Sequence, residues 1–443
     1  MSNDYLSSLP EEMLEEISKF FQHDDASYPG DVVDEPRKSY RALAQTCKSL
    51  RPYFQRRLFS IVDLTAEIRV RTFAELIQVN PILASYIQTI DLQVDNMCMG
   101  LFQYPPLLAI MHAAASSSGT LPKIHLCIGD LRSYYGNELS NDIPRNTLTH
   151  ILNAPKEILD AITHLRVTYS MGEAIPVGLF RLLSNLRVVS GYFVVSSISD
   201  KSSNNCSADH TPEFFRPKLD ELTLSSNNPA TIAMLCEQIL DLSALKVLSL
   251  FYSLVGSTWK VYLDNAKYFL AQRLLDHAQS VQKIHLDIGV TVGPFYDLSR
   301  LQHLRECTLD IDVEAGKNPV PHLTQLLRTL PPFPQHDLNY LQIKLNFINI
   351  PPDQKDIAVS QVLFSLGTWN EFDAALVDVG ASGTRLFELT LYFYTDIPTI
   401  GLVTTPLGLK EMLIGWERKY LPRSSQQQNL KIIILHPQSF PFR

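Results

Sequence analysis

The sequence predicts an α/β chain in which a short N-terminal helical segment precedes an irregular array of parallel strands and helices. Three observations predict it. A triplet of apolar residues at i, i+3 and i+5 returns again and again from about Phe73 onward. The stretches between the triplets read as helices. The chain of 443 residues, 45% hydrophobic and 19% charged, has enough apolar material for a large core, whether in about three domains or in one long array.

The first sixty residues come in three pieces. Ser8 and Glu11 have capping-box spacing, Pro10 suits a first turn, and Glu11 and Glu12 suit the positive end of a helix. Met13, Leu14, Ile17, Phe20 and Phe21 then form one apolar stripe, so this helix must bury a face. Residues Gln22 to Lys38, polar and broken by Pro29, Gly30 and Pro36, read as a solvated loop. Tyr40, Leu43, Ala44, Cys47 and Leu50 mark a second short helix, and Pro52 opens a third with Tyr53, Phe54, Leu58 and Phe59. Cys47 lies on the apolar stripe, where a thiol behaves as a small hydrophobe, although Lys48 and Arg51 follow it.

The segments Leu9-Pro10-Glu11-Glu12-Met13-Leu14-Glu15-Glu16-Ile17, Leu43-Ala44-Gln45-Thr46-Cys47-Lys48-Ser49-Leu50-Arg51 and Arg57-Leu58-Phe59 resemble an F-box of the form common in fungi. The resemblance implies a three-helix domain over residues 1–64 that docks on a Skp-type adaptor and, through it, a cullin. It assigns Leu9, Pro10, Met13, Leu14, Ile17, Leu43, Cys47, Leu50, Leu58 and Phe59 to the small core and the adaptor-binding face, without deciding which residue serves which. The Gln22 to Lys38 loop is longer than in compact versions of the motif. Read without the resemblance, the same helices are a cap for the array behind them.

The array, expected over residues 65–443, is clearest at Ile87/Ile90/Leu92, Leu121/Ile124/Leu126, Ile162/Leu165/Val167, Leu183/Leu186/Val188, Leu219/Leu222/Leu224 and Leu245/Leu248/Leu250. It continues at Val281/Ile284/Leu286, Leu304/Cys307/Leu309, Leu338/Leu341/Ile343, Leu386/Leu389/Leu391 and Leu430/Ile433/Leu435. The spacing is uneven, from 21 residues between Val167 and Val188 to 48 between Ile343 and Leu391. Helices are expected over 106–115, 230–240, 261–279, 321–330, 357–379 and 407–420. Strand and helix in alternation give parallel strands joined by right-handed crossovers. The spacing resembles a divergent leucine-rich-repeat solenoid with outer helices, over roughly residues 73 to 436, lacking most of the family's asparagine ladder. A doubly wound sheet also alternates strand and helix, but its strands are buried on both faces and read as unbroken apolar runs. Here Asp91, His125, Arg166, Arg187, Thr223, Ser249, His285, Thr308, Gln342 and Thr390 interrupt the anchors. The solenoid is the reading that fits.

With 38 Lys+Arg against 46 Asp+Glu, a net charge of −8, the chain lacks the basic excess that phosphate-backbone binding uses, so no nucleic acid is expected as a partner. No apolar run reaches the length of a membrane span. Residues Met1 to Glu16 read as neither a secretory signal nor a transit peptide, and six scattered cysteines without a C-x-x-C pair suit a reducing cytoplasmic or nuclear compartment.

Alternation along the strands places the interrupting residues, and those two positions on, on one exposed surface. Beyond the ten named it includes Gln93, Thr168, Ser225, Asp287, Asp310, Lys344, Tyr392 and His436. Arg166, Arg187, His285, Asp287, Asp310, Lys344 and Tyr392 are the candidates for binding a protein substrate; ordinary solvation of a half-exposed sheet is the alternative. His125 and His285 each sit in a Lys-Ile-His-Leu tetrapeptide, but no carboxylate or thiol has ligand spacing around both, so no metal is expected. Asp310, Asp312 and Glu314 alternate without the glycine-turned loop of a calcium site. No nucleophile elbow, phosphate loop, dinucleotide turn or zinc-protease motif occurs, so no catalytic residue and no cofactor is assigned. A cryptic hydrolase would need a polar pocket holding a perturbed titrating group.

The expectation is therefore a non-catalytic substrate receptor of an SCF-type cullin-RING ubiquitin ligase, serving ubiquitin-dependent degradation. The rival is a repeat scaffold whose N-terminal helices are only a cap.

Overall fold

A computed structural model describes residues 42, 51–64, 67–94, 105–129, 151–167, 175–191, 195–196, 215–225, 235, 239–251, 272–289, 296–313, 318–330, 337–347, 362, 365–380, 387–395, 416–427 and 430–435. The chain divides into two compact units, Met1–Leu186 and Arg187–Arg443. Both are α/β with parallel strands.

In the first unit α1 (Arg51–Ser60) runs directly into β1 (Ile61–Asp63). There follow α2 (Glu67–Val79), a 3-10 turn (Pro81–Tyr86), β2 (Thr89–Val94), α3 (Pro105–Ser118), β3 (Lys123–Ile128), α4 (Lys156–Ala161), β4 (Ile162–Val167) and α5 (Val177–Leu182). Strands β1 to β4 pair in chain order, each parallel to the last. Thr89-Ile90-Asp91-Leu92-Gln93-Val94 shows why: every second residue is apolar, and Ile90, Leu92 and Val94 are buried while the others stay half-open. The register then stacks Val62 beside Ile90 and Ile90 beside Ile124, so one apolar residue per strand meets its neighbours at a fixed height. Helix α3 turns Leu107, Ile110, Met111 and Ala114 inward at helical spacing and ends where Gly119, at φ +78°, closes the last turn on Ala115 O.

The second unit holds β5 (Val188–Gly191), β6 (Glu221–Ser225), β7 (Val247–Phe251), β8 (Lys283–Gly289), β9 (Glu306–Asp312), α6 (Val320–Thr329), β10 (Tyr340–Phe347), α7 (Leu366–Gly380), β11 (Phe387–Thr395), α8 (Trp416–Tyr420) and β12 (Leu430–Leu435). These eight strands are also parallel and also paired in chain order. Within each unit the order never reverses, unlike a doubly wound sheet, which starts in the middle and grows both ways. At the C-terminal side, the Trp369 ring meets Phe372 and Trp416 edge-on at 5.3 and 4.8 Å, and its indole N–H donates to Val362 O at 2.8 Å. Asp373, 1% exposed, accepts from the amides of Arg423 and Ser424 at 2.8 and 2.9 Å, fastening the turn after α8 to α7.

Several expectations need correction. The repeat starts before Phe73: Val62 pairs with Ile90, so Phe59/Val62/Leu64 is the first triplet, and Phe59 takes a first-anchor position in it. Leu121 is 43% exposed, and the buried residue ahead of β3 is Pro122. Val188 is half-exposed; the register of Val189 with Leu222 makes the triplet Leu186/Val189/Gly191, three residues later than expected, with Gly191 at φ +133° in the last anchor position. In β12 the frame is off by one. Ile432 and Ile434 align with buried Leu389 and Leu391, whereas Ile433 and Leu435 align with Thr390 and Tyr392. Ile432 to Leu435 are all apolar, so period 2 had no contrast to read there. Helices α3, α6, α7 and α8 lie within or close to the expected spans, and Pro52 sits in the first turn of α1. The expected first two helices, with Leu9, Pro10, Met13, Leu14, Ile17, Leu43, Cys47 and Leu50, fall outside the described residues.

Replacing Asp373 with Ala leaves two amides without their acceptor, and unfolding in urea should show a loss of about 1–3 kcal/mol. Unchanged stability would mean the turn after α8 is held by its apolar contacts alone.

Candidate binding face

Because strand side chains alternate, each unit has one buried face and one half-open face, and the parallel register sorts the half-open residues into rows across the strands. In the second unit one row reads Thr223, Ser249, His285, Thr308, Gln342, Thr390. The next, two residues further along, reads Asp287, Asp310, Lys344, Tyr392. Five of the seven expected substrate-binding residues thus fall in two adjacent rows. For Asp287 and Tyr392 the placement is that of the backbone.

The centre of these rows is Asp310. His285 Nε2 donates to its Oδ2 at 3.0 Å, and Lys344 Nζ lies 3.4 Å from Oδ2 and 3.2 Å from Oδ1. The Oδ1 contact has the distance of an ion pair without hydrogen-bond geometry, leaving that buried oxygen undirected. Phe251 sets its ring edge-on to His285 with centroids 4.6 Å apart. Burial of the Asp310 carboxyl works against its charge, but the His285 hydrogen bond and the nearby Lys344 ammonium outweigh it and hold its pKa below the ordinary carboxylate value. The group is a neutralised three-residue network, half-open to solvent.

One row differs from expectation. Thr390 is 3% exposed and carries no open surface, flanked in register by Gln342 and Ile433. Near the starts of the strands, Lys283 pairs with Glu306 at 2.7 Å and Glu388 with Lys431 at 2.9 Å, charges matched across neighbouring strands.

The first unit has its own row, Asp91, His125, His164, with Gln93, Cys127 and Arg166 above it. His125 Nδ1 lies 3.0 Å from Asp91 Oδ1, and the His125 and His164 rings are 3.9 Å apart between centroids. His164 was not anticipated. An extra residue in β4, Thr163, breaks the register after Ile124 and turns His164 to the height of His125, with Thr163 Oγ1 2.9 Å from His164 Nδ1. The usable signal was position: His164 stands two residues before Arg166 and so shares its face. Desolvation, then the neighbouring His125 and Lys123, lower the His164 pKa to about 4, against a smaller pull upward from Asp91.

Arg166 is half-buried in register with Cys127. Arg187 is not on the open face. It precedes β5, its carbonyl accepts from the amides of Asp220 and Glu221, and its guanidinium Nη1 reaches Lys218 O at 3.5 Å. The displaced triplet frame of β5 is the reason: the half-open position is Ser190. Leu58 and Phe59 are half-buried on α1, and the Phe59 ring stacks on Phe73 of α2 at 6.2 Å. Both histidines of the repeated tetrapeptide have a carboxylate neighbour on an adjacent strand, which linear spacing did not reveal. Among the described residues no three His, Cys, Asp or Glu side chains are grouped to hold a metal ion. Cys307 is fully buried, and desolvation pushes its thiol up to about 12, so it has no nucleophilic character at neutral pH.

Asp310→Asn should destabilise the protein by roughly 1–2 kcal/mol at pH 7, since Lys344 and His285 lose their charged partner. The native carboxyl releases its proton more readily than the unfolded one, so this contribution is complete above the ordinary value of 3.8 and is lost as pH falls through the lowered native value. In urea titrations the gap between wild type and variant should narrow as pH falls below 3.8; a constant gap would refute the pairing. For His164 the native state resists a proton that the unfolded chain accepts, so stability falls as pH drops from 6.5 toward 4. His164→Gln should flatten that slope, and an identical slope would place the proton uptake elsewhere.

No protein-family model matches the chain, and no curated protein is similar to it.

Proposed function

We propose that this chain is the substrate-recognition subunit of an SCF-type cullin-RING ubiquitin ligase. Its N-terminal three-helix F-box binds a Skp-type adaptor, and its strands form a leucine-rich-repeat-like solenoid whose half-open face holds the protein to be ubiquitylated. The observation that carries this reading is the pair of motif halves, Leu9 to Ile17 and Leu43 to Arg51, followed by Arg57-Leu58-Phe59. Two structural features support it. Strands paired in chain order are what a solenoid builds, and a half-open row of mixed polar side chains around Phe251, His285, Asp310 and Lys344 suits protein recognition. In this mechanism the chain does no chemistry. It raises the concentration of substrate lysines near a recruited conjugating enzyme.

A second reading has its own observation. Phe59 occupies an anchor position of the first triplet and stacks on Phe73, which is how a capping helix would be used. On that reading the chain is a repeat scaffold.

Co-purification with a Skp-type adaptor separates the two. The wild type should retain the adaptor and a Leu9→Ala/Pro10→Ala variant, with unchanged circular dichroism, should lose it. If folded wild type retains none, the helices are a cap and the ligase assignment fails.

A further inference from the structure

Strand β12 is the last of its ladder: it pairs with β11 on one side, and among the described residues no strand lies on the other. An open edge presents unpaired backbone N–H and C=O groups, and proteins guard such edges with short strands, charges or proline. The first unit does so at β1, which is three residues long and carries Asp63, held by Arg69 at 2.9 Å. The edge at β12 is nearly unguarded. Its sequence Leu-Lys-Ile-Ile-Ile-Leu contains no proline, and its one charge, Lys431, is neutralised by Glu388 of β11 at 2.9 Å. By register Ile432 and Ile434 continue the buried row of Leu389 and Leu391, while Ile433 and Leu435 continue the row of Thr390 and Tyr392. The half-open row that reads Thr223, Ser249, His285, Thr308, Gln342 and Thr390 therefore ends on Ile433, apolar where a terminal repeat should be polar. A strand apolar in both rows has the composition of an interior strand, yet it stands at an edge.

We infer that β12 is completed by β12 of a second copy, the two strands pairing antiparallel across a two-fold axis to give a symmetric dimer through the sheet edge. Three features choose this occupant. The chain's own following segment is a poor mate, since Pro437 and Pro441 within His436 to Arg443 lack the N–H that a ladder needs. The edge asks for a strand that is apolar in both rows, and β12 is itself such a strand. Symmetry then sorts the charges. A two-fold axis normal to the sheet reverses the strand direction and keeps each face continuous, so residues meet only others of their own row. With Ile433 on the axis, Ile433 meets its own copy, Ile432 meets Ile434 and Lys431 meets Leu435. No lysine faces a lysine, so the pairing sets no like charges opposite each other. The inference is independent of the ligase reading, since no residue of the motif enters it.

Mass and amide exchange of the full-length chain test it. Light scattering should find a dimer that dissociates on dilution, and exchange over Leu430–Leu435 should slow several-fold between about 2 and about 200 µM protein. Ile433→Lys and Ile433→Glu each set like charges on the axis, so each alone should weaken self-association by about tenfold or more with unchanged circular dichroism. Mixed in equal amounts, the two variants should restore the dimer, because lysine then meets glutamate across the axis. If either variant fails to fold, the exchange comparison on the wild type still decides. A wild type that stays monomeric at the higher concentration overturns the inference. So does a dimer in which the β12 amides exchange as fast as in the monomer, or one that both folded variants leave intact, since its interface then lies elsewhere. A mixture of folded variants that stays monomeric overturns the two-fold pairing.

Discussion

Everything in this protein depends on one constraint of the parallel ladder: neighbouring strands must present their buried residues at the same height. Ile284, Cys307, Leu341 and Leu389 are one such row in the second unit, and Ile90 and Ile124 belong to another in the first. A slip of one residue would move the apolar set of a strand to the half-open face and bury its polar set. The apolar rows therefore fix the polar rows as well. Residues far apart in sequence become neighbours because their strands are locked in phase by leucine and isoleucine.

The Asp310 network is the clearest product of that locking. Its three members come from three strands, and none is within twenty residues of another. Each half-open row must answer the same electrostatic demand, since a half-buried carboxylate without a partner is costly. The second unit answers with His285 and Lys344 around Asp310, and with alternating Lys–Glu pairs at the strand starts. The first answers with Asp91 beside His125, and adds a tilted His164 ring whose pKa, lowered to about 4 chiefly by desolvation, keeps it neutral at physiological pH. In both units the half-open face is nearly neutral, so recognition on it would rest on shape and directed polar contacts more than on long-range attraction.

Where sequence and structure part, the cause is local. Val189, not Val188, is the anchor of β5, because Leu183 and Leu186 are both buried and either starts an acceptable triplet. The resulting shift removed Arg187 from the open face. The frame of β4, in which Leu165 pairs with Leu126, decided that His164 and not Arg166 stands beside His125. Strand β12 gave no contrast at all, its Ile432 to Leu435 being uniformly apolar. Phe251 escaped notice because an aromatic residue two positions after Ser249 reads as strand material, and its contact with His285 exists only across two strands.

Period and composition by themselves determined the α/β class, the parallel strands, the buried anchors of most strands and the residues that could not be buried, because these follow from a chain's local alternation and need no knowledge of distant partners. Tertiary structure alone decided the frame of ambiguous strands, the pairing of Asp310 with His285 and Lys344, the companionship of His125 and His164, and the place of β12 at the edge of its ladder. Those depend on register between strands and on which strands become neighbours. Both are settled by packing across long stretches of chain, where the sequence carries no local mark.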